Sequence, residues 1–220
     1  IRDVERSRGL GDVYKRQAEK RFKGIGFKIK LKQREIAIKR GYDLVAWTFD
    51  PLQGVNANFN LRKLGVVIST YYRNFYGMMR NVLNYGLESD RFLAEWWVKS
   101  NRVLKRISGK YTLKKLSEIT SEAGIVNETN VDENGFRVIK KLNLDLNNNV
   151  LLVEIPEDIN KIKSVKMSLA IDWRIKTRRI FEEYFKKGYI ITDFISERYK
   201  NMRRNFYVLK KCRKEDILDN

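Results

Sequence analysis

The stretch Arg21-Phe22-Lys23-Gly24-Ile25-Gly26 lies directly ahead of a segment, Phe27 to Tyr42, that is long enough to form a helix. Two glycines separated by one residue give a loop whose backbone can approach an anion closely. The free amides at the start of the following helix, together with the helix dipole, favour a phosphate or pyrophosphate at that end. The pattern therefore predicts a phosphate-binding loop, although the same short motif also occurs as an ordinary turn.

The segment after this loop carries two competing periodicities. Its apolar residues from Ile25 to Leu31 alternate as they would in a strand, whereas on a helix they fall into two opposite stripes. The length of the segment, its glycine start and the charged interruption from Lys32 to Glu35 favour the helix. Gly41 is then typical of a left-handed C-terminal cap, and Leu44 to Phe49 predicts a buried strand.

The rest of the first half alternates between short elements. Residues 55 to 64 predict a short helix that Gly65 closes. Residues 66 to 73 and 91 to 98 are rich in β-branched and aromatic side chains, which predicts two further strands. Between these strands, residues 75 to 85 predict a loop or a short helix.

The second half begins with a stretch of weak periodicity. Residues 105 to 150 predict a variable connection with a short helix and a strand of its own. Beyond it we predict strands at 151 to 155, 190 to 195 and 205 to 210, with a helix between the first two. The apolar stripe of that helix follows helical spacing at Leu169, Trp173, Ile180 and Tyr184. The order helix, Gly-Tyr, strand occurs at 27 to 49 and again at 169 to 195, which indicates a weak internal repeat.

The composition excludes several classes of protein. The chain has 220 residues, 43% of them hydrophobic, which is enough for one compact unit with a well-filled core. It contains no histidine, so Ser-His-Asp and Cys-His catalysis and histidine-containing metal sites are excluded, and we predict no metal. The single cysteine, Cys212, cannot form an internal disulfide and is typical of a reducing cytoplasm. No apolar run is long enough to span a bilayer, so we expect a cytoplasmic protein without a membrane partner.

The formal net charge of +19 suits an anionic partner such as nucleic acid. The lysines are scattered along the chain, however, and the densest basic clusters are only 174 to 179, 203 to 204 and 210 to 214. Scattered lysines favour a generally basic surface over a dedicated nucleic-acid interface.

Residues 1 to 17 have no hydrophobic period, and their tail from Gly11 to Gln17 looks like translated adaptor sequence. We therefore expect this leader to be foreign to the fold or disordered. If so, we expect the natural sequence to continue upstream of Ala18 and this chain to be a truncated part of it.

The loop and the segments after it resemble the GNAT superfamily of N-acetyltransferases, and within it a family of prokaryotic GNAT-like proteins. The resemblance covers most of residues 18 to 210 and is weakest at 105 to 150. The segments that carry it, after Arg21 to Gly26, are Gly41-Tyr42, Ala46 to Gln53, Asn56 to Asn60, Lys63-Leu64-Gly65, Asn74 to Gly77, Gly86-Leu87, Ser89 to Phe92, Glu95-Trp96, Leu151 to Pro156, Trp173-Arg174, Thr177-Arg178, Gly188-Tyr189 and Thr192 to Phe194.

The resemblance implies an α/β fold of the GNAT-like acyl-CoA N-acyltransferase type, a mixed central sheet with flanking helices. It also implies that the N-terminal strands and helices of this fold are missing from the chain as given. It implies a core at 18 to 104, a variable connection at 105 to 150 and a C-terminal αβ extension at 151 to 212. The implied cofactor is acetyl-CoA or another acyl-CoA, and the implied partners are an amine acceptor and a second copy of the chain in a homodimer. The residues expected to bind the cofactor are Arg21, Lys23, Gly24, Ile25, Gly26, Phe27, Asn56 and Asn60.

The catalytic groups are less well indicated than the cofactor site. Many GNAT proteins carry a tyrosine acid two residues before the Lys-Leu-Gly run, and this chain has Leu61 there. Candidate replacements are the tyrosines Tyr71, Tyr72 and Tyr76 and the carboxylate of Glu95, with Glu154 as a further carboxylate in an apolar strand. A structural hydrogen bond is an alternative role for both glutamates. We therefore expect an acyl-CoA-dependent N-acyltransferase, with a non-catalytic GNAT-like protein that binds nucleic acid or another anionic partner as the alternative.

Overall fold

The computed structural model describes residues 24–77, 86–112, 115–199 and 201–219, and it contains helices and mixed sheets of an α/β protein. The chain divides into two compact units, one ending at Asp43 and the other starting at Leu44. The predicted leader at 1 to 17 and most of the predicted loop at 75 to 85 lie outside the described residues.

The first unit contains helix α1, Ile25–Lys39. The helix begins after Gly24, which has a φ of 94°, and it ends before Gly41, which has a φ of 81°. The amide of Tyr42 donates to the Ala37 carbonyl over 3.0 Å and closes the last turn. The predicted helix and its glycine cap are therefore confirmed, because a left-handed residue satisfies carbonyls that the helix leaves unpaired.

The strands of the second unit form two sheets and a hairpin within the described residues. A three-stranded antiparallel sheet has the order β1, β3, β2 and a four-stranded sheet the order β4, β7, β9, β8, while β5 and β6 form the hairpin. The strands are β1 Leu44–Phe49, β2 Tyr71–Tyr72, β3 Arg91–Trp97, β4 Gly124–Ile125, β5 Asn127–Val131, β6 Arg137–Leu142, β7 Val150–Ile155, β8 Tyr189–Tyr199 and β9 Met202–Lys211.

Two residues outside the named strands join the sheets. Val67 exchanges backbone hydrogen bonds of 3.0 Å with Glu95 of β3, and Ile68 exchanges bonds of 3.1 and 2.8 Å with Ile191 of β8. The predicted strand at 66 to 73 is therefore wrong in extent, since only Tyr71–Tyr72 forms a regular ladder. Val67 and Ile68 are fully buried, so their β-branched side chains reflect burial between two sheets.

The helices of the second unit include several short ones and one long one. They are α2 Gly54–Ala57, the π-helix α3 Asn58–Leu64, α4 Asn101–Ile107, α5 Leu116–Ile119, α6 Ile159–Val165, α7 Met167–Lys186 and α8 Lys214–Leu218. The helix predicted at 55 to 64 is thus present as α2 and α3, and Gly65 closes it with a φ of 77°. The indole of Trp96 donates to the Leu64 carbonyl at this end over 2.8 Å.

Helix α7 packs across both sheets. The predicted stripe is confirmed, because Leu169, Trp173, Ile180 and Tyr184 are all buried. Beside this stripe, the Phe181 ring contacts Phe92 of β3 at 4.7 Å between centroids and Tyr207 of β9 at 5.4 Å. Both contacts are edge-to-face, the arrangement that aromatic pairs prefer. One helix therefore covers aromatic side chains from each sheet.

The predicted variable connection has more structure than the sequence indicated. Within 105 to 150 lie helix α5, strand β4 and the hairpin of β5 and β6. The hairpin is held to α7 by its backbone, since the Trp173 indole donates to the Arg137 carbonyl and the Lys176 ammonium donates to the Ile139 carbonyl.

We predict that alanine at Gly65 destabilises the protein more than alanine at Gly109. Both glycines have a positive φ, 77° and 72°, and so both substitutions introduce strain of about 1 kcal/mol. A Cβ at Gly65 would in addition lie 2.8 Å from Cγ of Arg106, whereas a Cβ at Gly109 meets no atom within 4 Å. Urea denaturation should show a loss for Gly65→Ala that exceeds that for Gly109→Ala by about 1 kcal/mol or more. Equal losses would contradict the close packing of Gly65.

Candidate functional site

The predicted phosphate loop is an open helix start in the first unit. Gly24 adopts a left-handed conformation, and no acidic side chain lies in the first turn of α1. A Cβ built on Gly24 or Gly26 meets no atom within 4 Å, so the backbone here is accessible. The first amides of an α-helix have no partner inside the helix, and those of Ile25 to Phe27 can therefore donate to an anion. Arg21 and Lys23 lie outside the described residues.

The two asparagines expected at the cofactor lie in the second unit, on α2 and α3. Asn56 is exposed, whereas Asn60 is buried and its carbonyl accepts the amide of Val66 over 3.1 Å. Asn56 is therefore the more accessible of the pair. Leu61, at the position where many GNAT proteins have a tyrosine, is fully buried.

The three candidate tyrosines differ in their surroundings. The Tyr71 hydroxyl donates to the Asp90 carboxylate over 2.5 Å. Burial, followed by the charge of Asp90, raises the pKa of the Tyr71 phenol well above its ordinary value. Tyr72 and Tyr76 are exposed, and the Arg91 guanidinium lies 5.0 Å above the Tyr76 ring. Tyr71 is thus held protonated in a structural bond, and Tyr72 and Tyr76 have accessible rings.

Glu95 is buried and fully engaged by neighbouring donors. Its carboxylate accepts hydrogen bonds from the Lys214 ammonium over 2.9 and 2.6 Å, from Ser69 over 3.2 Å and from the Trp97 indole over 3.2 Å. These four donated hydrogen bonds fix the position of the carboxylate and tie β3 to α8. The geometry therefore favours the structural role for Glu95.

Glu154 is likewise buried and paired. Its two oxygens accept the Arg204 guanidinium over 2.9 and 2.8 Å, and Thr129 donates over 2.5 Å. Arg137 lies 3.0 Å from the same carboxylate. Two guanidiniums around one fully buried carboxylate form an ion-pair network that joins β7, β9 and the hairpin.

A second buried network involves residues whose partners the sequence did not indicate. The Asp90 carboxylate is fully buried and accepts the Arg178 guanidinium through both oxygens over 2.8 Å, together with the amide of Asn74 over 2.9 Å. Arg174, which like Arg178 belongs to α7, donates to the Asp50 carboxylate over 2.8 Å. Burial alone would lower the pKa of Arg178, but the hydrogen bonds to Asp90 and Glu88 raise it. The network contains three carboxylates, Asp50, Glu88 and Asp90, and three guanidiniums, Arg91, Arg174 and Arg178, and Lys163 lines a pocket with several of these side chains.

A cavity of about 510 Å³ lies elsewhere in the second unit. Aliphatic side chains of the four-stranded sheet line it, among them Val150, Ile195 and Val208, together with Arg102 and Lys105 of α4. This volume is within the range of small-molecule sites.

Comparison with known proteins gives no further guidance, since no protein-family model, no curated protein and no solved structure matches the chain. Among the described residues, each helix is too short or too polar to cross a bilayer.

We predict that Asp90→Asn destabilises the protein by about 3 kcal/mol, because it removes a fully buried carboxylate that pairs with Arg178 and leaves the exposed Glu88 as the charge partner of that guanidinium. The matched control is Glu128→Gln, which removes the same charge from the exposed pair with Lys141. Denaturant titration should show no measurable change for this control, since exposed ion pairs contribute little. Similar stability of the two variants would show that the Asp90 network does not hold the fold together.

Proposed function

We propose that this protein is a cytoplasmic acyl-CoA-dependent N-acyltransferase of the GNAT type, which transfers an acyl group, acetyl in the simplest case, from CoA to an amine. The observation that carries the proposal is the open start of α1. A left-handed glycine, an accessible backbone and a first turn without acidic side chains suit a pyrophosphate group.

The order of elements supports the same proposal. The glycine loop leads into a helix of 15 residues, Gly41 follows the end of the helix, and the strand Leu44–Phe49 comes next. The strand is present as predicted but is not buried as predicted, since Phe49 is its one buried residue. The next helix ends at Gly65, and the chain then contributes to a three-stranded sheet with β3 as its central strand. The segments that resemble GNAT proteins lie on these elements in the same order. A GNAT-like mixed sheet with flanking helices is therefore part of the proposal.

Acyl transfer needs a group that accepts the proton of the amine and a group that protonates the leaving thiolate. Tyr71 donates its hydroxyl hydrogen bond to Asp90, and the Glu95 carboxylate accepts hydrogen bonds from Lys214, so both groups already have partners. Tyr72 and Tyr76 have accessible rings, so they remain the candidates for the acid among the residues named from the sequence. The buried Leu61 cannot supply a proton.

The alternative is a non-catalytic GNAT-like protein that binds an anionic partner such as nucleic acid. The observations that favour it are Leu61 in place of the usual tyrosine and the net charge of +19. Release of free thiol from acetyl-CoA that depends on an added amine would support the enzyme. Binding of CoA without release of thiol, across a panel of amines and amino acids, would support the alternative.

We predict that Gly26→Val weakens CoA binding by about tenfold or more, because the side chain blocks the approach of the pyrophosphate to the backbone amides. Gly26 lies within α1 and a Cβ there meets no atom, so the variant should keep its fold. The control is Gln33→Val, which places the same β-branched residue at an exposed position further along the helix. Isothermal titration calorimetry with CoA should give unchanged affinity for the control. Unchanged affinity of a folded Gly26→Val variant would refute the site.

A further inference from the structure

The cavity beside the four-stranded sheet contains an imbalance of buried charge. Arg102 and Arg106 lie four residues apart on α4, hence on one face of the helix, and both are at least nine-tenths buried. The Arg106 guanidinium pairs with Asp193 over 2.9 Å. Arg102 donates to two backbone carbonyls, those of Gly65 and Thr192, and to no carboxylate among the described residues. Two buried positive charges therefore face one half-buried negative charge, that of Asp193.

The remaining charged groups of the lining are exposed. Lys105 and Lys210 line the cavity as cations, and Glu122 lines it as an exposed carboxylate. Arg106 lies outside the lining but pairs with the lining residue Asp193, so the buried guanidiniums of Arg102 and Arg106 give the cavity its positive charge. An uncompensated buried charge is costly, so the cavity favours a ligand with a negative charge.

Several buried polar atoms around the cavity lack a hydrogen-bond partner within the described part of the chain. The Thr192 hydroxyl, in a residue that is 3% exposed and lines the cavity, has none. Nε and Nη1 of Arg106 also have none, and this guanidinium lies 3.4 Å from the centroid of the Tyr111 ring. Thr192 lies at a β-bulge, where the register of β8 shifts between Ile191 and Asp193. Bulges commonly redirect a side chain at a functional site.

The electrostatics of Arg102 agree with this geometry. Burial, followed by the charge of Arg106, lowers the pKa of the Arg102 guanidinium to about 10. The group stays charged at neutral pH, and an anion in the cavity would raise this pKa again.

We propose that this cavity binds a small amphipathic oxyanion, a molecule with a carboxylate or phosphate group and a short aliphatic body. The oxyanion accepts hydrogen bonds from Arg102 and the Thr192 hydroxyl, and the aliphatic body lies against Ile195 and Val208. All the lining residues belong to the second unit, so the proposal does not rest on the acyl-CoA site of α1.

The test is isothermal titration calorimetry of the full chain with octanoate, octyl phosphate and octylamine, which share one aliphatic body. We expect saturable one-to-one binding of at least one oxyanion and no binding of octylamine. Tighter binding of octanoate would support the proposal with a carboxylate as the preferred head group, and tighter binding of octyl phosphate would support it with a phosphate.

Two variants locate the site. Thr192→Val removes the unpartnered hydroxyl with little change of shape and should weaken oxyanion binding by about tenfold, the usual effect of one charge-assisted hydrogen bond. Lys210→Gln should weaken it by about threefold, since an exposed charge is partly screened. The matched controls are Thr48→Val on β1 and Lys211→Gln next to Lys210, which lie outside the lining and should leave the affinity unchanged.

Circular dichroism should be used to check that each variant is folded. Lys210 is exposed, so Lys210→Gln should fold and can test the proposal even if Thr192→Val does not fold. The proposal is overturned if neither oxyanion binds, if octylamine binds as tightly as octanoate, or if folded variants at both positions retain the affinity of the parent chain.

Discussion

Val67 and Ile68 are adjacent in the chain and donate their backbone amides to different sheets, Val67 to β3 and Ile68 to β8. Both residues are fully buried, so an amide without a partner here would carry the full cost of desolvation. The two sheets of the second unit are joined at this point, and the aromatic contacts of Phe181 with Phe92 and Tyr207 cover them from one side. The fold of the second unit therefore depends on a short segment that forms no regular strand.

The same junction determines the character of the cavity. Arg102 donates to the carbonyls of Gly65 and Thr192. Gly65 lies shortly before Ile68 in the chain and Thr192 directly follows Ile191, the residue with which Ile68 pairs. A guanidinium satisfies these carbonyls because it carries donors in a fixed fork, and in doing so it brings a positive charge into the protein interior. Arg102 therefore has two roles: it stabilises the junction between the sheets, and it makes the neighbouring cavity electropositive.

The sequence predicted those elements whose signal is local and repeated. The stripe of α7 extends over about four turns. Gly41, Gly65 and Gly188 mark helix ends by a backbone conformation that glycine adopts most easily. The segment 66 to 73 was predicted too long, since β-branched residues indicate burial and not a ladder. Partners distant in the chain gave no local signal: Lys214 meets Glu95 across 119 residues. The cavity was not predicted either, because its lining comes from α4, α8, β7, β8, β9 and the segment between α4 and β4. Whether the glycine loop binds CoA stays a prediction.

Native-state hydrogen exchange tests most directly whether the two sheets form one cooperative structure. If they do, the amides of Ile68 and Ile191 should exchange with the free energy of global unfolding, together with those of Phe92 in β3 and Leu209 in β9. The two sheets would then open in a single step as denaturant is added. Exchange of β3 amides at a distinctly lower free energy than β9 amides would show that the sheets unfold separately, and it would contradict the role assigned to Val67 and Ile68.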